Sequence, residues 1–385
     1  MRDYKVISAD SHWETRPEVW ASRVPEKFRD RLPKTIKLPN GGDGVIDDGG
    51  RVTYGGTAHY CGHGPEGFDP TILKYDSEAG YGGPEQRLKE QDIDGVDAEI
   101  LFRFTPRDKD GDLVRAMVRA ENEWLAEEFC SFAPDRLLGV GLLPNRGVDG
   151  DIAEMENCKK LGLRAVHLTR YPSGESYPTP DDDRFFAAAL DIDMPVCVHT
   201  QMAIKRGERG EFMIKYPKEP EGYDRPPIDI VDRMSRYGTT HCGCLEVTQM
   251  VMTGLFDRLP DLKIYWAENQ CGWIPIFLEQ MDMIYEANRV WVERILGLPH
   301  LRRKPSEYVK EHAYWGFFDD PIGMRLRHDI GVDHLLWGSD FPHEVSRWPN
   351  SMEVMDEQFA TAGVTAGEKQ KMMVDNAVKF LHLDR

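Results

Sequence analysis

The chain has 385 residues, of which 41% are hydrophobic and 30% charged, and its formal net charge is −18. This length suits one barrel of roughly 250 residues with insertions, or two ordinary domains. Binding to a phosphate backbone requires a basic face, so nucleic acid is excluded as an expected partner.

The predicted elements, taken in chain order, alternate between strands and helices. Short apolar runs predict strands at residues 6–10, 98–102, 137–143, 164–168, 195–199, 263–268, 313–317 and 335–339. Apolar residues at three-to-four spacing predict helices at 84–93, 113–132, 152–161, 184–190, 247–255, 274–285, 352–359 and 368–381. Eight strands that alternate with helices favour a closed (β/α)₈ TIM barrel. A doubly wound open sheet is the alternative, and the lack of a GxGxxG motif after the first strand weakens it.

Two segments interrupt this alternation within what we predict to be a single barrel over residues 1–385. Residues 32–83 are rich in Gly, Pro and Asp and lie inside the first βα unit. They are too long for an ordinary loop, so we expect a lid or a small β insertion. Residues 201–240 follow the fifth strand and form the second insertion. Both insertions are predicted to lie over the C-terminal mouth of the barrel.

The environment of the protein can also be predicted from the sequence. The N-terminal residues have no apolar h-region, so no secretory signal is expected, and no run of about 18 apolar residues predicts a membrane span. The 7 cysteines are scattered and odd in number, which favours reduced thiols over disulfides. We therefore expect a cytoplasmic protein that acts on a small molecule.

Ionisable residues stand at the ends of three predicted strands. Asp10 and His12 end the first strand, His199 ends the fifth, and Asp340 follows the eighth. On a strand, a spacing of two places Asp10 and His12 on the same face. Because the carboxyl ends of barrel strands meet at one mouth, these four side chains predict a metal site there.

Each of these residues, taken alone, has an ordinary structural explanation. Asp10 could be a capping residue, His12 and His199 could be hydrogen-bonded in the core, and Asp340 could cap the next helix. Their joint position favours one divalent metal ion. Zn²⁺ is the expected ion, and Mn²⁺ or Fe²⁺ are the alternatives for a site with carboxylate and imidazole ligands.

Four segments resemble the amidohydrolase superfamily, and within it the aminocarboxymuconate-semialdehyde decarboxylase-like branch, amidohydrolase family 2. They are SADSH at 8–12, GVGLLP at 139–144, GWIP at 272–275 and WGSDFPH at 337–343. The resemblance implies a metal-dependent (β/α)₈ barrel. In it, Asp10 and His12 match the first-strand pair of metal ligands, His199 the fifth-strand ligand and Asp340 the eighth-strand aspartate. The family's sixth strand usually ends in a histidine, and this chain has Glu268 there.

Two carboxylates are the predicted catalytic residues. Asp340 can touch the metal and also act as a general base, and Glu268 can act as a second acid or base. Carboxylates that share a site have pKa values that are pushed apart, which allows one acid and one base at neutral pH. The alternative for Glu268 is a salt bridge to an arginine or a helix cap.

Five residues are predicted to contact substrate. Arg103 follows the second strand and Arg170 the fourth, and either guanidinium could clamp a carboxylate. Surface salt bridges are the alternative for both. His241 opens the helix after the second insertion, and His343 lies just beyond the eighth strand, where it could orient the aspartate. Trp13 could stack on an aromatic ring, although filling the core is the commoner role of a large aromatic residue.

The resemblance implies a non-oxidative decarboxylase of a small carboxylated aromatic or unsaturated substrate. The alternative is a hydrolase of an amide, lactone or cyclic ester that uses metal-bound hydroxide. A non-catalytic binding protein built on an enzyme barrel is a third possibility, and the retained ligand set argues against it. The resemblance also implies a homodimer or a higher homo-oligomer.

Overall fold

The computed structural model describes residues 2–54, 61–63, 66, 69, 72, 74–175, 177–202, 242–291, 293 and 298–384. Within these ranges, eight parallel strands form one sheet in which each strand pairs with the next along the chain. They are β1 (Ile7–His12), β5 (Ala98–Phe102), β6 (Leu137–Leu142), β7 (Ala165–His167), β8 (Val196–His199), β9 (Ile264–Ala267), β10 (Ala313–Phe317) and β11 (Leu335–Trp337). The predicted barrel is confirmed, and every predicted strand is present within two residues at either end.

The first and last strands meet where the barrel closes. The amide of Asp340 donates to the carbonyl of Asp10 at 2.8 Å, and the amide of His12 donates to the carbonyl of Phe341 at 2.7 Å. A Cβ atom added to Gly338 would lie 2.5 Å from the Cβ of Asp10. Glycine is therefore required here, because β11 approaches the metal-site end of β1 too closely for any side chain.

Helices flank the strands. They are α1 (Glu18–Ala21), α2 (Glu26–Arg29), α3 (Pro84–Asp94), α4 (Gly111–Trp124), α5 (Val148–Leu161), α6 (Asp182–Asp191), α7 (Cys244–Met252), α8 (Leu255–Arg258), α9 (Ile274–Trp291), α10 (Pro305–His312), α11 (Pro321–Ile330), α12 (Ser351–Thr361), α13 (Ala366–Gln370) and α14 (Asn376–Phe380). None of the helices in the described ranges is long and apolar enough to cross a membrane. The sequence patterns missed the four-residue helices α1, α2 and α8. They also missed α10 and α11, which both begin with proline at the first helical position.

The first insertion contains a small antiparallel sheet of β2 (Lys34–Lys37), β3 (Asp43–Ile46) and β4 (Val52–Tyr54). Near its end, a Cβ atom added to Gly80 would lie 2.3 Å from the ring of Pro342, in the loop that follows β11. This part of the insertion therefore packs against the mouth of the barrel. Its role as a lid remains a prediction, and residues 203–240 of the second insertion lie outside the described residues.

Candidate metal centre and active site

The four predicted ligands converge at the C-terminal mouth of the barrel. Asp10, His12, His199 and Asp340 are buried, and one ligand atom from each lies within 4.8 Å of the others. The Nε2 atom of His12 is 3.1 Å from Oδ1 of Asp340 and 3.0 Å from Nε2 of His199. The Nε2 atom of His199 is 3.3 Å from Oδ1 of Asp10. Side chains separated by up to 330 residues in the sequence thus form one compact group.

The hydrogen bonding of this group fits a divalent cation. Neither carboxylate oxygen of Asp10 accepts a hydrogen bond from the described residues, although both oxygens are buried. The Nε2 atoms of His12 and His199 also face each other across 3.0 Å. Two buried carboxylates and two imidazole nitrogens thus point at one space. Their burial costs free energy unless a positive charge lies there. Carboxylate and imidazole ligands suit Zn²⁺, Mn²⁺ and Fe²⁺.

The protonation of His12 agrees with this role. Burial, together with the nearby imidazoles of His343 and His199, lowers the pKa of His12 well below its usual value. His12 is therefore neutral, which is the form that binds metals. Burial disfavours the charged form of His199, but the carboxylates of Asp10, Glu268 and Asp340 outweigh this effect and raise its pKa to about 9, so His199 must lose a proton when it binds a metal. Burial disfavours the charged form of Asp340, but His343 and His12 outweigh this effect and hold its pKa below the usual range. Asp340 is therefore a carboxylate at neutral pH.

Glu268 directly follows β9 and lies beside the metal ligands. Its Oε2 atom is 3.7 Å from Nε2 of His199, and its backbone has a left-handed φ of 54°. Burial, followed by repulsion from the Asp340 carboxylate, raises the pKa of Glu268 to about 7. A carboxyl group with this pKa exchanges a proton readily at neutral pH, which is what general acid–base catalysis requires.

His343 reaches the same site from the loop after β11. Its Nδ1 atom is 3.0 Å from Oδ1 of Asp340, and its ring stacks on His12 with centroids 3.8 Å apart. Glu14 stands close by, so that His12, Glu14 and His343 form a second group of side chains with ligand atoms within 4.8 Å of one another. His343 thus contacts both a predicted metal ligand and the predicted base.

Two of the residues predicted to contact substrate, Arg103 and Trp13, pack against each other. Arg103 donates from Nε to Glu121 at 3.1 Å and from Nη1 to Glu14 at 3.2 Å. Its guanidinium lies 4.5 Å from the ring centroid of Trp13. Trp13 is only 1% exposed and its ring is 5.4 Å from that of Trp124. Trp13 therefore supports Arg103 from within the core, and Arg103 is fixed by two carboxylates.

The structure describes one of the remaining two residues that were predicted to contact substrate. Arg170 follows β7, is exposed, and lines a cavity near the mouth. His241 lies outside the described residues, so its predicted contact with the substrate remains a prediction.

The family model for amidohydrolases, Amidohydro_2, matches residues 74–383. The chain belongs to this family. The protein is therefore an enzyme of the amidohydrolase superfamily, and its group of four ligands supports a divalent metal.

Among curated proteins, this amidohydrolase is similar to the 2-amino-3-carboxymuconate-6-semialdehyde decarboxylase of Dictyostelium discoideum. The two are 22% identical over 311 residues, which cover 78% of this chain and 77% of that protein.

Two solved structures share the fold. An amidohydrolase from Mycobacterium avium subsp. paratuberculosis K-10 is 18% identical, with a TM-score of 0.69 over 99% of this chain and 100% of that chain. The 5-carboxyvanillate decarboxylase of Novosphingobium aromaticivorans, in complex with manganese and 4-hydroxy-3-methoxy-5-nitrobenzoic acid, is 16% identical, with a TM-score of 0.64 over 99% and 96% of the two chains.

One residue of the amidohydrolase mouth was not predicted from the sequence. Phe104 is 53% exposed, yet its ring centroid lies 6.0 Å from that of His12 and 5.4 Å from that of His199. An exposed aromatic ring beside metal ligands provides a surface on which a planar substrate can pack. Its position immediately after Arg103 was the only available signal, and a single Phe after a strand usually belongs to the core.

Proposed function

We propose that this amidohydrolase is a metal-dependent, non-oxidative decarboxylase of a small carboxylated aromatic or unsaturated substrate. The observation that carries this proposal is Glu268, a carboxyl group with a pKa of about 7, placed 3.7 Å from a metal ligand. Decarboxylation needs an acid that can give a proton to carbon. The similarity to two named decarboxylases supports the same choice.

Asp10, His12, His199 and Asp340 would hold the metal. When bound, a divalent cation supplies positive charge that binds and polarises a carboxylate and a neighbouring oxygen of the substrate. We propose Zn²⁺, with Mn²⁺ or Fe²⁺ as alternatives. Metal analysis of purified protein by mass spectrometry identifies the ion.

The residues of the chain would then act in order. Phe104 and Arg103 line the mouth and orient the planar substrate, with Trp13 fixing Arg103 from behind. Glu268 donates its proton to the carbon that bears the carboxylate. The bond between this carbon and the carboxylate then breaks, CO₂ leaves, and the bonding electron pair returns to the unsaturated system. The product is the substrate with hydrogen in place of carboxylate, and Glu268 regains a proton from water.

His343 and Asp340 keep the site in one arrangement during these steps. The contact of His343 with Asp340 at 3.0 Å and its stacking on His12 restrict both ligands. We propose that Arg170 and His241 also contact the substrate. Arg170 is exposed near the mouth, and His241 lies outside the described residues.

The second candidate function is hydrolysis of an amide, lactone or cyclic ester. Asp340 favours it, because this carboxylate stays ionised at neutral pH and can accept a proton from an attacking water. In this reaction Glu268 would protonate the leaving group.

One experiment separates the two functions. Metal-loaded protein is incubated in D₂O with a panel of 2-hydroxybenzoates and, separately, with the lactone dihydrocoumarin. A decarboxylase releases CO₂ and leaves one deuterium at the position of the lost carboxylate. Acid release from the lactone without CO₂ from any benzoate would contradict decarboxylation and support hydrolysis.

We also propose that the protein is a cytoplasmic homodimer or higher homo-oligomer. On α9, Ile276, Met283 and Val290 follow one another at intervals of seven residues and are 65%, 57% and 63% exposed. Such an apolar stripe suits contact with a second copy of the chain. All seven cysteines are free, in agreement with a reducing compartment.

A further inference from the structure

A cavity of about 210 Å³ lies beside the metal centre on the same face of the barrel. Its walls come from the loops that follow β5, β6 and β7, and they include Phe104, Arg107, Arg146, Thr169 and Arg170. Of the residues assigned to the substrate above, Phe104 and Arg170 line this cavity, whereas the carboxylates Asp340 and Glu268 do not. Three arginines in one small space, in a chain with a net charge of −18, suggest a specific role.

The arginines of the cavity are available to bind an anion. No ion pair joins Arg107 or Arg170 to a carboxylate in the part of the chain that the structure describes, and both are exposed. Arg146 donates from Nη2 to the carbonyl of Asp108 at 3.1 Å. Its Nε atom is buried and has no hydrogen-bond partner among the described residues. This nitrogen is packed against Gly111 and closed to solvent, so Arg146 contributes its positive charge to the cavity rather than this donor.

The carboxylate that lines the cavity beside these arginines, Asp108, has partners of its own. One oxygen of Asp108 accepts a hydrogen bond from the amide of Asp110 at 2.7 Å and lies 3.4 Å from Nη2 of Arg31. Asp108 therefore offsets only part of the positive charge of the three arginines.

Phe104 connects the cavity to the metal centre. Its ring lines the cavity and also lies 6.0 Å from the ring of His12 and 5.4 Å from that of His199. A planar substrate bound at the metal would contact Phe104. A substituent directed away from the metal would pass along this ring toward the arginines.

We propose that the cavity is an anion subsite that holds a second acidic group of the substrate. This inference rests on the proposed function, and it narrows the substrate class to aromatic acids with a carboxylate at the metal and a second anionic group on a short side chain. Guanidinium groups bind carboxylate and phosphate oxygens in the same forked geometry, so the second group is one of these two.

Titration calorimetry on the Mn²⁺-loaded full chain tests the subsite. The probes are 2-hydroxybenzoate and its derivatives with a carboxymethyl or a phosphonomethyl group at position 4 or 5. Charge-assisted hydrogen bonds contribute about 1.5–3 kcal/mol, so at least one added acidic group should tighten binding by about 10-fold to 100-fold. The phosphonomethyl and carboxymethyl arms show which anion is preferred.

The variant Arg107→Gln/Arg170→Gln should reduce this gain to less than about threefold. The matched control is Arg302→Gln/Arg325→Gln, which removes two positive charges from exposed arginines outside the cavity and should keep the gain. All four substitutions are on the surface, where effects on stability are usually small. Thermal unfolding of both variants verifies that they fold.

Two results would overturn the subsite. One is equal affinity of the wild type for the parent probe and for every derivative. The other is a gain that persists in Arg107→Gln/Arg170→Gln. These results are distinct from failure of the proposed function, since tight binding of a dianionic probe without CO₂ release contradicts decarboxylation alone. CO₂ release from 2-hydroxybenzoate without any gain from a second acidic group contradicts the subsite alone.

Discussion

Replacement of Arg87 by methionine should strongly destabilise the protein, because Arg87 belongs to a buried ion pair behind the metal site. Its Nε atom donates to Oε2 of Glu99 at 2.6 Å, and the two side chains are 1% and 3% exposed. Its Nη2 atom donates to the carbonyl of Phe341 at 3.3 Å. Glu99 also accepts from Ser11, the residue between the ligands Asp10 and His12, at 3.1 Å. The pair thus joins α3 to the first strand, β1, and to the loop after the last strand, β11, where the barrel closes.

The expected cost follows from what remains after the substitution. In Arg87→Met, Gln91, at 2.8 Å, and Ser11 are the neutral donors that Glu99 keeps among the described residues. Leaving a buried charge without its partner costs about 3–5 kcal/mol of the free energy of unfolding. Replacing both members, as in Arg87→Met/Glu99→Leu, removes the unpaired charge and should recover most of this loss.

Urea unfolding followed by tryptophan fluorescence measures the effect, with Lys89→Met as the matched control on the same helix. Lys89 pairs with Glu85 at 3.3 Å, but their side chains are 70% and 74% exposed, so the control should lose at most about 0.5 kcal/mol. Because Ser11 lies between two ligands, Arg87→Met should also weaken Mn²⁺ binding about 10-fold or more. A loss of stability below about 1 kcal/mol in Arg87→Met would refute the reasoning.

Four further outcomes are expected. Glu268→Gln should lower kcat by about 100-fold or more while the bound metal per chain stays the same; an active variant would remove Glu268 from the role of acid. Dialysis against a chelator should abolish turnover and lower the Tm, and divalent metal at about 100 times its Kd should restore about 2.7 kcal/mol; unchanged activity would contradict a metal enzyme. Gly338→Ala should cost about 1–3 kcal/mol in urea unfolding, since the new Cβ would lie 2.8 Å from the amide nitrogen of Asp10; a neutral effect would show that the two strands can separate. Ile276→Glu/Met283→Glu should convert the proposed oligomer to a monomer in sedimentation velocity, and an unchanged sedimentation coefficient would contradict an interface at this stripe.

The barrel was predictable because its signals are local. Each strand of β5–β11 is a short apolar run, and alternation with helices requires parallel strands. The two longest missed helices, Pro305–His312 and Pro321–Ile330, carry charged residues at several positions, so their apolar period is weak. The structure shows an N-terminal cap on the helix Pro321–Ile330, because the Asp320 carboxylate accepts a hydrogen bond from the amide of Gly323 at 2.8 Å.

The convergence of the four proposed metal ligands was predictable for a different reason. Asp10, His12, His199 and Asp340 each stand at a strand end, and barrel topology brings strand ends together. The surroundings of the ligands follow no such rule. Glu99 occurs within a strand and Phe104 in a loop, and only the three-dimensional arrangement shows that one supports the metal site and the other lines its mouth.

Three residues at the ends of strands near the metal centre leave the extended backbone conformation. Asp340, Glu268 and Thr200, which follows His199, have left-handed φ values of 52°, 54° and 55°. For residues other than glycine this conformation is unfavourable by roughly 1–2 kcal/mol each. Backbone hydrogen bonds hold the turns, from Thr200 to the carbonyl of Ala267 at 3.0 Å and from Asp340 to that of Asp10 at 2.8 Å. The carboxylates that we propose to be catalytic are therefore held by strained turns beyond the strands. For this reason the apolar runs of the sequence located the strand ends, but they carried no information on where the side chains beyond the strands point.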